Sequence, residues 1–117
     1  MTVEEVFSGL VAHLRQGISM HYAFVQMYDF LGLNFYSRRQ YEQYLEEINN
    51  CHSLCHYYMK HYHKLVNFSE KQEQNVVPAS WYKYTQLDVD VNTKRNAVRE
   101  IVQQWVNWER STKEYIV

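Results

Sequence analysis

Three polar side chains fall on or beside stripes that are otherwise apolar: His21, Glu47 and Glu109. One imidazole and two carboxylates make a donor set suited to iron, manganese or zinc. A carboxylate on a buried stripe is costly unless it is paired, hydrogen-bonded or bound to a metal. Glu109, at the centre of its stripe, is the sharpest case. Tyr22, Tyr28 and Asn50 are the candidates for hydrogen-bonding neighbours of such a metal. Each residue also has a plainer reading. His21 can be a hydrogen-bonded core histidine, Glu47 a solvated edge residue, and Glu109 a partner of Arg or Tyr or part of an oligomer surface.

Cys51, His52, Cys55, His56, His61 and His63 bring further donors into one helix. A histidine pair at i,i+4, such as His52 and His56, can hold a metal on a helix surface. Neither Cys-x-x-Cys nor His-Glu-x-x-His is present. The cysteines share the core side, whereas His52, His56 and His63 lie on a separate stripe about 60–120° round. The plainer reading is a contact edge, with the cysteines serving as small apolar residues. Two cysteines one helical turn apart suit a disulfide poorly, which agrees with a reducing compartment.

Three long helices must position these groups. The first, over 3–31, opens on a capping box, Thr2 with Glu5. Its stripe is Val3, Val6, Phe7, Leu10, Leu14, Gly17, Ile18, His21, Phe24, Val25, Tyr28 and Leu31, all within one broad face. Gly32 is its expected stop. The second, over 38–66, opens on Ser37 with Gln40 and gathers Tyr41, Tyr44, Ile48, Cys51, Cys55, Met59, Tyr62 and Val66. Its short connection makes it the antiparallel neighbour of the first. A crossover, 67–92, carries the only proline, Pro78, and the aromatic residues Trp81, Tyr82 and Tyr84. It is long enough to return along a helix of roughly 43 Å, so the third helix can run parallel to the second. That third helix, over 93–117, follows Asn92 or Thr93 as its cap. Its stripe is Val98, Val102, Trp105, Glu109, Thr112 and Ile116, with Ile101 and Trp108 widening it.

Composition agrees with one all-α domain, 1–117. The chain is 46% hydrophobic and 21% charged, with 3 Gly and 1 Pro. That is too apolar for disorder and too poor in turn residues for an all-β fold. A net charge of -1 gives no general pull toward nucleic acid. Arg38, Arg39, Lys60 and Lys64 form no dense basic stripe. No apolar run is long enough for a membrane span. With no leader pattern, a cytoplasmic location is expected, and Asn67-Phe68-Ser69 is discounted as a glycosylation acceptor. The 11 Tyr suit a bundle core with polar tips at its edge.

Two long helices, a short turn, a long crossover and a third long helix resemble the first three helices of the ferritin-like superfamily. Ser19-Met20-His21-Tyr22-Ala23-Phe24-Val25-Gln26-Met27-Tyr28 looks like the aromatic middle of a ferritin first helix. Glu46-Glu47-Ile48-Asn49-Asn50 is similar to the family's Glu-Glu-x-x-His. Trp108-Glu109-Arg110-Ser111-Thr112 looks like the Glu-bearing middle of its third helix. The resemblance implies an up-down bundle and a metal site, with Gly17 at the first-helix Glu position and Asn50 in place of His. The fourth helix, with its own Glu-x-x-His, has no counterpart.

These readings converge on two expectations. One is a ferritin-like bundle, a dimer or higher homo-oligomer, with an altered iron, manganese or zinc site at His21, Glu47 and Glu109. The other is a non-enzymatic helical interaction or oligomerisation module. In both, the third stripe is still in phase at Val117, so the expectation is either a chain truncated before a fourth helix or a partner helix that completes the bundle. A third reading, a small metal enzyme using His52 and His56 with His21, resembles the His-triad bundles related to damage-inducible proteins without their third-helix histidines.

Overall fold

A computed structural model describes residues 2–66, 76–78, 81–82 and 89–115. The described residues hold α-helices and short turns: α1 over Val3–Phe30, α2 over Asn34–Tyr62 and α3 over Val91–Thr112, followed by one 3-10 turn, Lys113–Tyr115. None of these helices is long and apolar enough to cross a membrane.

Helix α1 starts as its sequence implies. The Thr2 hydroxyl accepts from the Glu5 backbone N–H at 3.1 Å, and Glu4 and Glu5 lie in the first turn, where the helix dipole favours acids. It ends at Phe30, where Gly32 takes a φ of 71°, a left-handed conformation that glycine adopts without a Cβ penalty. The Leu33 N–H then reaches the Tyr28 carbonyl at 3.0 Å. So tight a turn lets α2 begin at Asn34, four residues before the expected start at Arg38. Leu33 is the N-cap and offers no side-chain bond. Ser37 and Gln40 therefore form no capping box. The Ser37 hydroxyl donates to Asp29, and Gln40 reaches His21. At the far end His63 adopts a φ of 55° and bonds the Met59 carbonyl, closing α2 at Tyr62 instead of Val66. Helix α3 opens two residues earlier than expected, because Asp90 supplies the cap by accepting from the Thr93 N–H at 2.7 Å.

Helix α1 is central. Along α2 its contacts run in reverse order: Phe7 meets Tyr58, Tyr22 meets Tyr44, and Tyr28 meets Tyr36. Along α3 they reverse as well, with His13 against Trp108 and His21 against Trp105. Both neighbours are thus antiparallel to α1, and α3 runs parallel to α2. Val76 is buried in the same core, and the Trp81 ring lies 5.9 Å from Phe30, so this part of the crossover is pinned to the end of α1. The expectations for Asn67-Phe68-Ser69, Tyr84 and Ile116 lie outside the described residues.

Two helix faces are rotated from their expected settings. On α2 the buried residues are Ser37, Gln40, Glu47, Cys51 and Tyr58, while Tyr41, Met59 and Tyr62 are exposed. The polar members win because Ser37 and Gln40 satisfy Asp29 and His21 across the α1–α2 contact. On α3 the buried line is Ala97, Ile101 and Trp108, leaving Val102 and Glu109 turned outward. Seating the Trp108 ring over Gly17 sets this rotation, since a one-residue step turns a helix by about 100°.

Candidate functional site

The site is built around His21, which has 0% exposure. The Gln40 side-chain amide donates to its Nδ1 at 2.6 Å, placing the ring proton of the neutral form on Nε2. The ring stands nearly perpendicular to Trp105 and Trp108, at centroid distances of 5.3 Å and 5.6 Å. Nε2 and the Trp108 indole nitrogen are buried without a hydrogen-bond partner among the described residues. Burial pushes the His21 pKa down to about 4, so the ring is neutral at pH 7.

Glu47 is buried, not at a solvated edge. Its carboxylate accepts from the Gln43 amide at 3.2 Å. Burial raises its pKa above the ordinary carboxylate value, the Gln43 bond draws it back, and the charges of Glu109 and Glu46 raise it further. Glu47 and Glu109 are therefore close enough to repel. Glu109 does not lie in the core: it is exposed on α3, where it accepts from the Trp105 indole N–H at 3.1 Å. The chain of contacts runs Gln40, His21, Trp105, Glu109, with Glu47 alongside. These groups orient helices and carry little free coordinating capacity.

Among the described residues no group of three or more His, Cys, Asp or Glu side chains could hold a metal ion. The donors as placed do not fit one. The His21 ring is enclosed by Trp105, Trp108 and Phe24. At Gly17, where the ferritin pattern would carry its first carboxylate, a Cβ atom would stand 2.0 Å from Trp108 Cζ2. The remaining candidates are dispersed. Tyr22 is exposed against Tyr44, Asn50 is exposed, and Tyr28 is buried beside Tyr36, two turns from His21. Burial raises the Tyr28 pKa, and the neighbouring Tyr36 raises it further.

His52 and His56 lie exposed on α2, with ring centroids 6.1 Å apart, beside a shallow depression shared with Ser53, Tyr57, Lys60 and His61. Cys51 and Cys55 are free thiols. Burial, followed by the neighbouring Cys55, pushes the Cys51 pKa up to about 11, so it is a thiol and not a thiolate at neutral pH.

Sequence reasoning missed a second polar anchor. The His13 ring stacks on Trp108 at 4.8 Å and 7°, and its Nε2 lies 2.7 Å from the Thr112 hydroxyl. That hydroxyl donates to the Trp108 carbonyl at 2.9 Å, so His13 Nε2–H is the donor to Thr112. A mid-helix glycine was the available signal: Gly17 marks where a large side chain of another helix comes close.

A buried carboxylate with one neutral hydrogen-bond partner should be replaceable by its amide. Glu47→Gln is expected to stabilise the protein by about 1 kcal/mol at neutral pH, by removing a desolvated charge that also repels Glu109. The gain should shrink as pH falls and Glu47 takes up its proton. Urea unfolding at two pH values checks this, and a destabilised Glu47→Gln at neutral pH would contradict it.

No family model, curated protein or solved structure matches the chain, so its function is argued from its own residues.

Proposed function

We propose that this chain is a non-enzymatic helical oligomerisation module. The observation that supports it is a pair of helix faces that leave large apolar side chains exposed. On α2, Tyr41, Leu45, Met59 and Tyr62 are exposed, and the half-buried Ile48 and Cys55 continue the same alternation of threes and fours. On α3, Val91, Val102 and Val106 are exposed beside half-buried Val98 and Trp105. Helices use this spacing to pack against other helices, and contiguous exposed apolar patches mark interaction sites. Meanwhile Ser37 and Gln40 hold α2 to α1, and His13 holds α3 to it through Thr112. The two free thiols favour a cytoplasmic setting.

A ferritin-like relationship draws support from the helix order, two long antiparallel helices followed by a third. In that reading a helix from a second copy takes the fourth position. An iron, manganese or zinc centre gains no support from the placement of His21, Glu47 and Glu109.

Sedimentation equilibrium from micromolar to near-millimolar chain tests the proposal. The average mass is expected to rise from 14.3 kDa toward twice that value. A mass that stays at 14.3 kDa over the whole range would overturn it.

A further inference from the structure

Self-association requires a surface that complements itself under a twofold axis. The outward face of α3 carries Val91, Arg95, Val98, Arg99, Val102, Val106 and Glu109, all exposed except the half-buried Val98. We propose that two copies of this chain pair through α3, antiparallel, with Val102 on the twofold axis. The inference rests on the oligomerisation reading and assigns it a surface and a register.

The argument is one of pairing. About a centre at Val102, residues a given number of positions before it meet residues the same number after it on the copy. Val102 then packs on Val102. Four positions out, Val98 meets Val106. Seven positions out, Arg95 meets Glu109, and the symmetric contact repeats it. Three positions out, Arg99 lies over Trp105, an arrangement suited to a cation–π contact. Each of these inner pairs is apolar with apolar, acid with base, or cation with aromatic, and only at the ends of the face, eleven positions out, does Val91 meet Lys113. Shifting the centre by one residue in either direction separates Arg95 from Glu109 and sets one valine, Val102 or Val106, opposite Glu100.

The charge distribution around Glu109 fits the same occupant. Glu109 and the buried Glu47 repel one another, and no basic side chain bonds either carboxylate among the described contacts. Arg95 of the copy would arrive beside both. Antiparallel helices also oppose their dipoles favourably. The other exposed stripe, on α2, has no comparable pairing: its members Tyr41, Leu45, Met59 and Tyr62 carry no charge that fixes a register.

Sedimentation equilibrium on the intact chain and five variants tests the pairing. Val102→Asp sets two carboxylates against each other on the axis and is expected to raise the dissociation constant by about 100-fold or more. Arg95→Glu and Glu109→Arg each create two like-charge pairs and are expected to weaken the dimer by about 10-fold or more. The double variant Arg95→Glu/Glu109→Arg exchanges both charges and is expected to return to within about 3-fold of the parent. Helical circular dichroism confirms that each variant is folded, which their exposed positions favour. A dimer unaffected by Val102→Asp overturns the pairing, as does a double variant no tighter than the single ones. If Leu45→Asp on α2 dissolves a dimer that Val102→Asp leaves intact, the register is wrong and the oligomerisation reading stands. A parent chain that remains monomeric at every concentration overturns both.

Discussion

Gly17→Ala is expected to destabilise the protein by about 2 kcal/mol or more, although alanine is the better helix former by about 1 kcal/mol. An added Cβ would lie 2.0, 2.4 and 2.7 Å from three atoms of the Trp108 indole. Real contacts never come so close, so the ring must move. It has little freedom to do so, being stacked on His13 on one side and edge-on to His21 on the other. Either Trp108 leaves its slot, with loss of about 1.5–3 kcal/mol of burial, or α3 lifts from α1 along its length. Urea unfolding followed by tryptophan fluorescence reports both the lost stability and the new exposure. Repeating the change in a Trp108→Leu background isolates the cause. With the indole gone, the alanine should be neutral or stabilising, so the sign of its effect reverses. A Gly17→Ala protein as stable as the parent, with unchanged fluorescence, would rule out the close seating.

The same contact explains what could be inferred from the sequence and what could not. Three helices, their order and the capping of α1 follow from local signals: periodicity, a Thr2–Glu5 box and a glycine stop. The rotation of each helix does not, because it depends on partners distant in sequence. For α3 the stripe through Val102 and Glu109 and the line through Ala97, Ile101 and Trp108 differ by one residue. A hydrophobicity pattern scores them almost alike. What separates them is the slot at Gly17, about 90 positions earlier in the chain. The first line would turn Glu109 inward, as a metal ligand requires, whereas the second leaves it exposed. The α2 face misled for a related reason. Its buried side carries Ser37, Gln40 and Glu47, which look solvent-facing until Asp29 and His21 are placed opposite the first two. The core position of His21 is legible in the sequence, since its neighbours on α1 are apolar on every nearby turn.

Acidification is expected to weaken the fold through His21, by about 3 kcal/mol between neutral pH and pH 4. The unfolded imidazole takes up its proton near pH 6.5, whereas the buried ring does so only near pH 4. Between those values the unfolded state binds more protons, so stability rises with pH and levels off above about pH 7. The groups facing the ring are Gln40 from α2, Trp105 and Trp108 from α3, and Phe24 on its own helix; none is charged. Nothing in direct contact would therefore hold an imidazolium in place. Glu47 acts in the opposite sense. Its raised pKa contributes stability that is present below the ordinary carboxylate value and lost as pH rises through the folded value. The His21 slope is accordingly cleanest in a Glu47→Gln background. Urea unfolding across this window should show the slope there, and His21→Gln should flatten it. A His21 ring that titrates near pH 6.5 by NMR, or a slope unchanged in His21→Gln, would sink the assignment. Because α3 meets the core through Trp105 and Trp108 on this ring, protonation should loosen α3 first, and with it the surface on which assembly is proposed to depend.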